Sequence, residues 1–291
     1  MCQRISRILV FIFGFWAQAT LSQIDQKETD FIRFVAGQEQ WSGKLQTAIV
    51  SYQNSFGVTV NLVSAVHLAD ISYYEKLNDY FKTQDSVLYE LVANSDERPG
   101  SNSMVSDMST ITLMQRTLGN ILEISFQLEQ IDYSPENFRH ADLNPVELFE
   151  IMTEKDQNFF TAFLSLAVSQ IAADQSNDET GLPRTSLTIM SFFRALISED
   201  RVASLKYLFA EELGRSGGLS LSPEIENQLT ILGDRNLAAI RTLENALEQS
   251  ADKIITIFFG AAHMPGLERA LITDLGFEEE EKRWITAWEV P

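Results

Sequence analysis

Runs of hydrophobic residues predict strands near both ends of this chain. The β-rich runs Leu45–Tyr52 and Val58–Val63 flank Gln53–Gly57, a segment typical of a hairpin turn. Beyond them, apolar residues recur every three or four positions and predict a helix that begins after Asp70. Its apolar positions are Ile71, Tyr74, Leu77 and Phe81. A further apolar run over residues 86–92 predicts the next strand.

The C-terminal part of the chain has a similar pattern of strand, helix and strand. Ile254–Phe259 is an uninterrupted apolar run, which is typical of a strand covered on both faces. Pro265 fits the first turn of the following helix, and Gly276 stands where a C-terminal cap belongs. The run Glu278–Glu281 predicts a solvated turn before a last strand over residues 284–289. These patterns predict an α/β (α+β) fold with a mixed central sheet built from both ends of the chain.

The remaining segments are predicted to be mainly helical. Residues from about 101 to 250 have helical periodicity interrupted by proline and glycine, which predicts an insertion that packs over the sheet or forms a lid beside it. The polar segment Asp25–Phe34 also has a helical pattern, in which Ile32 and Val35 are candidate buried positions. We therefore expect a single domain over residues 20–291.

The first 19 residues have the features of a removable secretory signal. Arg4 and Arg7 precede an apolar run from Ile8 to Trp16, and Ala17-Gln18-Ala19 has the small-x-small pattern that signal peptidase recognises. The run is shorter than the about 20 residues that span a bilayer. These features predict an exported protein, periplasmic or secreted, with no stable membrane span after cleavage.

Cysteine content and charge narrow the possible chemistry. The single cysteine, Cys2, lies within the predicted signal, which excludes disulfides and thiolate metal sites from the processed chain. The formal net charge is −19, and loss of Arg4 and Arg7 makes it two units more negative. Such a charge argues against nucleic acid or an anionic membrane surface as a partner.

Two of the three histidines occupy matched settings. His67 follows Val63-Ser64-Ala65-Val66, and His263 follows Phe259-Gly260-Ala261-Ala262, so each follows a predicted strand through small residues and precedes a helix. Ligands in α/β sheets bind beyond the strand ends, where such side chains converge. Glu90 ends another strand and needs a partner for its charge. Two imidazoles and a carboxylate form a common hydrolytic metal site, so we predict that these three residues bind a divalent cation.

His140 and Arg235 are further candidates. His140 could be another ligand, a proton shuttle or a lid residue, or it could make only a local hydrogen bond beside Asp142. If Asp234 caps a helix, Arg235 lies in its first turn, where the helix dipole disfavours a cation. A substrate carboxylate, a developing oxyanion or Glu90 would justify the arginine there, and a surface position with little cost is the alternative. The sequence contains no GxGxxG, Walker, GxSxG or HExxH motif.

Four segments resemble three blocks of the TraB/PrgY/GumN family, which includes the Tiki proteases. Val60–His67, with the following Ser86–Glu90, resembles the first block of that family. Gly260–Leu267 resembles its closing Gly-x-x-His block, and Gly233–Asn236 is similar to its Arg-Asn element. The resemblance covers roughly residues 45–290. Ser64 departs from it, because the family usually has glycine at that position, and the hydroxymethyl group would narrow the pocket or bond to a ligand.

The resemblance implies an activity and a set of site residues. In the Tiki branch, two Gly-x-x-His motifs and a glutamate form the site of a protease that depends on manganese or cobalt, which implies His67, Glu90 and His263 here. We therefore expect an exported metal-dependent hydrolase that acts as a peptidase, with manganese, cobalt or zinc as cofactor. Arg235 would steady the anionic transition state, and Glu90 or His140 would move protons.

Two other functions fit the same residues. The wider superfamily includes a haem-binding lipoprotein and macrolide esterases, so the resemblance does not fix the reaction. The first alternative is a binding protein that captures haem, a metal or a peptide signal without turnover. The second is an esterase that uses no metal and in which one histidine acts as general base, oriented by Glu90. If the protein is an enzyme, with or without a metal, its expected partner is a peptide or small-molecule substrate.

Overall fold

The computed structural model describes residues 30–94, 122–157, 194–215, 223–249 and 251–291. The predicted signal segment, residues 1–19, lies outside these ranges, as does much of the predicted helical insertion. Within the described ranges, no helix combines the length and the apolar character needed to cross a bilayer.

The described ranges contain strands and helices in a mixed order. The strands are β1 (Ile32–Ala36), β2 (Gly43–Gln53), β3 (Thr59–Ala65), β4 (Leu68–Ala69), β5 (Ser86–Tyr89), β6 (Ser125–Phe126), β7 (Phe138–His140), β8 (Ile254–Gly260) and β9 (Glu278–Val290). The α-helices are α1 (Ile71–Phe81), α2 (Gln127–Gln130), α3 (Pro145–Glu154), α4 (Arg201–Arg215), α5 (Pro223–Gln228), α6 (Arg235–Gln249) and α7 (Met264–Thr273). A π-helical turn, Thr230–Asp234, precedes α6, and a 3₁₀ turn, Ala261–His263, precedes α7.

Seven of these strands form one mixed sheet. Strands β3, β8, β5 and β7 lie side by side in that order and run parallel. Strand β2 is antiparallel to β3, and it also pairs with β1 and β9 in antiparallel register. The short strands β4 and β6 form a separate pair. The predicted α/β fold is confirmed, with a mixed central sheet that joins N-terminal and C-terminal strands.

Both faces of the sheet are covered by apolar side chains. Phe258 of β8 packs with Leu77 and Phe81 of α1 on one face. The next residue, Phe259, belongs to the cluster on the other face with Leu243 of α6 and Leu267 of α7. Successive strand residues point to opposite faces, so the continuous apolar run of β8 serves both layers. The parallel strands therefore lie between two helical layers, and their carboxyl ends share one edge.

Three local predictions are corrected by the structure. The segment predicted to be helical up to Phe34 contains strand β1, because Ile32–Ala36 pairs with the first half of β2, and Val35 is exposed rather than buried. Residues Glu278–Glu281 are the start of β9 rather than a turn, because their backbone pairs with the end of β2. Ile71, predicted to be buried, is exposed in the first turn of α1. In each case tertiary pairing, which the local pattern does not contain, decides the outcome.

Candidate functional site

Polar side chains meet at the edge where the parallel strands end. His67 lies two residues beyond β3, Glu90 directly follows β5, and His263 lies three residues beyond β8. Asp142 lies two residues beyond β7. These strands are neighbours in the sheet, so residues far apart in sequence come together where ligands bind in open α/β sheets. The predicted convergence of the two histidines with Glu90 is therefore what the topology produces.

The three predicted ligands lie close to one another around Gly260. A methyl group on its Cα would lie 3.3 Å from Oε2 of Glu90, 3.6 Å from Nε2 of His67 and 3.9 Å from Cδ2 of His263. Its backbone N–H donates a 2.6 Å hydrogen bond to Oε2 of Glu90. The missing side chain therefore leaves a small space bounded by both imidazoles and the carboxylate.

Arg235 is held between two carboxylates beside this space. Its Nη2 atom donates to Oε1 of Glu90 at 2.7 Å and to Oδ2 of Asp142 at 2.5 Å, and its Nε atom donates to Oδ1 of Asp142 at 2.9 Å. The Nη1 atom lies 3.5 Å from Nε2 of His263. All of these side chains are largely buried. One guanidinium faces two carboxylates, so the trio has one negative charge in excess.

The cluster keeps its members charged despite burial. Burial by itself raises the pKa of Glu90, but the Arg235 guanidinium brings that pKa well below its ordinary value. Burial likewise lowers the pKa of Arg235, but the charges of Glu90 and Asp142 outweigh it and raise that pKa. Glu90 is therefore a carboxylate at any pH near neutrality.

A π-helical turn carries Arg235 to this position. Thr230–Asp234 is wound as a π-helix, and Arg235 is the first residue of α6. Lys155 bonds to the side chain of Asp234, and Gln157 accepts from the backbone N–H of Thr230, so residues after α3 fasten the turn. Asp234 therefore ends the π turn rather than capping α6. The cost of a cation at a helix N-terminus is offset here by the two carboxylates.

His263 has a fixed partner on its other ring nitrogen. Its Nδ1 atom lies 2.7 Å from Oδ1 of Asn236, which is buried at the start of α6. The Nδ2 atom of Asn236 donates to Oε1 of Glu226, and the other oxygen of Glu226 accepts from Arg269. The imidazole is therefore the end of a buried polar chain.

His67 has a comparable partner on the more open side of the site. Its Nδ1 atom lies 3.2 Å from Oε1 of Gln127, and the backbone N–H of Gln127 donates to the carbonyl oxygen of His67. The Nε2 atom of Gln127 donates to the hydroxyl of Tyr133. Gln127 is buried, whereas His67 is exposed, so His67 is the member of the group that solvent reaches most easily.

Two other residues from the sequence analysis lie apart from this group. His140 ends β7, and its Nε2 atom lies 2.6 Å from the carbonyl oxygen of Leu91, which matches the local hydrogen bond that was one of the two alternatives. Its ring packs edge-on against Tyr89. Ser64 is fully buried in β3, and its hydroxyl has no hydrogen-bond partner among the described residues.

The described part of the chain contains no preformed group of three His, Cys, Asp or Glu side chains arranged to hold a metal ion. Both oxygens of Glu90 already accept hydrogen bonds, one from Arg235 and the other from the N–H of Gly260. Each carboxylate oxygen has a second lone pair, so Glu90 retains capacity for one more ligand.

Several members of the site were not found from the sequence. Asp142 was considered only as a neighbour of His140, whereas it is the second carboxylate on Arg235. Gln127 and Glu226 received no functional prediction, because a single amide or acid in a helical region has no distinguishing pattern. Asn236 was noted only within the Arg-Asn element, and its adjacency to Arg235 was the one signal available for it.

No protein-family model, curated protein or solved structure matches this chain. The resemblance to the TraB/PrgY/GumN family therefore stays a prediction that rests on the motifs quoted above. The geometry at Gly260 stands independently of it, because it follows from the strand order and the measured contacts.

The charge of Glu90 predicts how stability depends on pH. Because the folded-state pKa is depressed, the stabilisation from this carboxylate is fully present above about pH 4.3, the ordinary value for glutamate, and is lost as pH falls through the folded-state pKa. We expect Glu90→Gln to lower the free energy of unfolding by about 3 kcal/mol at pH 7. That difference should shrink steadily in urea denaturation series run below pH 4.3.

A matched control is Glu289→Gln, because Glu289 pairs with Lys44 on the surface. That variant should lie within about 0.5 kcal/mol of the unmodified protein at pH 7. A Glu90→Gln difference that is constant from pH 2.5 to 7 would contradict the depressed pKa.

Proposed function

We propose that this chain is a hydrolase that cleaves a carbonyl substrate, most simply a peptide, with the help of a divalent cation. The observation that carries the proposal is the meeting of His67, Glu90 and His263 at Gly260. The resemblance to metal-dependent proteases supports the same assignment, and the predicted secretory signal supports an exported location.

The residues at Gly260 fit a divalent cation. The donors are two imidazoles and a carboxylate, a set that binds manganese, cobalt and zinc. The space that a Cβ atom would fill is left open, and the adjacent ion cluster has a negative charge in excess. His67, His263 and Glu90 would be the ligands, with Glu90 sharing its carboxylate with Arg235. Bound there, the cation would supply an acidified water and polarise the substrate carbonyl.

The side chains of the site have distinct tasks in this proposal. Arg235 keeps Glu90 ionised through the buried ion pair. Among the described residues, its Nη1 atom has one partner, Nε2 of His263 at 3.5 Å. Because this contact is long, an N–H of Nη1 can turn to an oxyanion that develops beside His263. The exposed His67 lies on the side from which a substrate would enter.

A hydrolase without metal is the second candidate. The observation that favours it is the engagement of both Glu90 oxygens by Arg235 and Gly260, with no preformed group of three metal donors in the described ranges. In that case His67 would act as general base on a water, since its Nε2 atom faces the open space at Gly260. Chelators distinguish the two, because only the first candidate loses activity with them.

Removal of either histidine at Gly260 should abolish metal-dependent hydrolysis. We expect close to one manganese, cobalt or zinc per chain in the purified protein, and loss of that metal in His67→Ala and His263→Ala. Cleavage of fluorogenic peptide and ester libraries should fall by at least about 10²-fold in both variants. Elemental analysis and initial rates, with and without chelator, provide the measurement.

His140→Gln is the matched control for metal content, because His140 bonds to Leu91 and not to the group at Gly260. It should retain the metal. If the protein is fully active in chelator and its activity still depends on His67, the result favours the metal-free hydrolase. Saturable binding of haem, metal or peptide without any product would overturn hydrolysis and indicate a binding protein.

The role of the space beside Gly260 in metal binding can be tested by filling it with the methyl group of alanine. The backbone of Gly260 has a φ of −57°, which alanine adopts without strain. The added Cβ of Gly260→Ala would lie against Glu90 and His67, so we expect metal affinity to fall about 10-fold or more while the circular dichroism spectrum is retained. Unchanged affinity in isothermal titration would show that the cation, if bound, lies elsewhere.

A further inference from the structure

Each imidazole at Gly260 has an amide oxygen against its Nδ1 atom. The oxygen belongs to Asn236 for His263, at 2.7 Å, and to Gln127 for His67, at 3.2 Å. An amide oxygen can only accept a hydrogen bond, so the Nδ1 atom must donate. A neutral ring that donates from Nδ1 keeps its lone pair on Nε2. In His67 that atom faces the space at Gly260, and in His263 it lies 3.5 Å from Nη1 of Arg235 and 3.4 Å from Oε1 of Glu90.

The orientation of Asn236 is fixed by its own surroundings. Its Nδ2 atom faces Oε1 of Glu226 at 2.8 Å and the carbonyl oxygen of His263 at 3.3 Å. Both partners are acceptors, so the amide nitrogen must lie on that side and the oxygen must face the ring of His263. Arg269 binds the second oxygen of Glu226 and holds this acceptor in place.

Gln127 is fixed at two points. Its side-chain nitrogen lies 3.0 Å from the hydroxyl of Tyr133, which accepts from it when the amide oxygen faces His67. Its backbone N–H donates to the carbonyl oxygen of His67 at 2.9 Å, so main chain and side chain bind the same residue. This double contact holds an otherwise exposed histidine in one orientation.

We propose that Asn236 and Gln127 are positioning residues that hold His263 and His67 as Nδ1–H tautomers, with Glu226 orienting Asn236. This inference rests on the proposed function for its purpose, because two unprotonated Nε2 atoms near the same carboxylate are what a cation or a proton transfer requires. Partners of this kind on the outer nitrogen are the usual way in which ligating histidines are oriented.

The chain contains its own reference for the opposite tautomer. His140 has its Nε2 atom 2.6 Å from the carbonyl oxygen of Leu91, and a carbonyl oxygen can only accept. His140 is therefore an Nε2–H donor in the same protein. Because the chain has only three histidines, all three rings can be resolved and assigned by single substitutions.

The test is long-range ¹H–¹⁵N correlation spectroscopy of the full chain with ¹⁵N-labelled histidine, at about pH 9 and free of metal, where an ordinary imidazole is neutral. We expect the Nε2 nitrogens of His67 and His263 to have the signature of an unprotonated ring nitrogen, and His140 to have the reverse. An average of both tautomers at His67 and His263, or protonated Nε2 atoms there, would overturn the proposal.

Substitutions separate the two positioning residues. Asn236→Leu should release the tautomer of His263 and leave His67 unchanged, and Gln127→Leu should do the reverse. Gln127→Glu keeps an acceptor oxygen and should retain the tautomer of His67. Each leucine variant should weaken metal binding about 10- to 100-fold. A ring that keeps its single tautomer in the corresponding leucine variant would contradict the assignment of its partner.

The outcome is independent of turnover. The spectrum of the unmodified protein is informative even if the buried Asn236→Leu variant fails to fold, and Gln127→Leu then tests the second residue. Fixed tautomers in a protein that hydrolyses nothing would reject the proposed function and leave the positioning roles intact. Hydrolysis by a protein in which His67 and His263 have mixed tautomers would support the proposed function and reject the positioning roles.

Discussion

The buried ion cluster of Arg235 with Glu90 and Asp142 is the interaction on which the candidate site depends. Three charged groups at the edge of a sheet lose most of their hydration, and the loss is tolerated only because each has a close, hydrogen-bonded partner. Removing the guanidinium would leave two carboxylates facing each other without compensation. The cluster therefore fixes the spacing between β5, β7 and α6, and with it the position of Glu90 beneath the two imidazoles.

The fold provides the three things that this cluster requires. The parallel strands bring Glu90 and Asp142 to one edge of the sheet, and apolar layers on both faces keep those strands in place. The π turn places Arg235 between the carboxylates, and Lys155, which follows α3, bonds to Asp234 in that turn. A π turn is uncommon and often occurs at a functional site, because it redirects one side chain without breaking the helix. Here the redirected side chain is the central cation.

The main features of the sheet and of the site could be predicted from the sequence. Continuous apolar runs and helical periodicity predicted β8 and α7, and matched strand-histidine patterns predicted that His67 and His263 converge with Glu90. The unfavourable placement of Arg235 at a helix N-terminus indicated a compensating anion, and Glu90 was among the candidates. These inferences succeeded because they rest on local periodicity and on the rule that parallel strands end at one edge.

The remaining features depend on contacts that no local pattern records. Strand β1 forms because β2 offers an edge, and Glu278–Glu281 join β9 for the same reason. Asp142 reaches Arg235 only through the neighbouring positions of β5 and β7 in the sheet. Gln127 reaches His67 through the β4–β6 pair, which brings two short segments together from distant parts of the sequence. In each case the partner is chosen by tertiary geometry, which outweighs local propensity.

The most direct test of the central claim is anomalous diffraction from crystals of the protein grown with zinc. The account predicts one anomalous peak beside Gly260, bound by His67, His263 and Glu90. Well-ordered imidazoles around Gly260 with no anomalous peak, or a peak bound only at other residues, would contradict it.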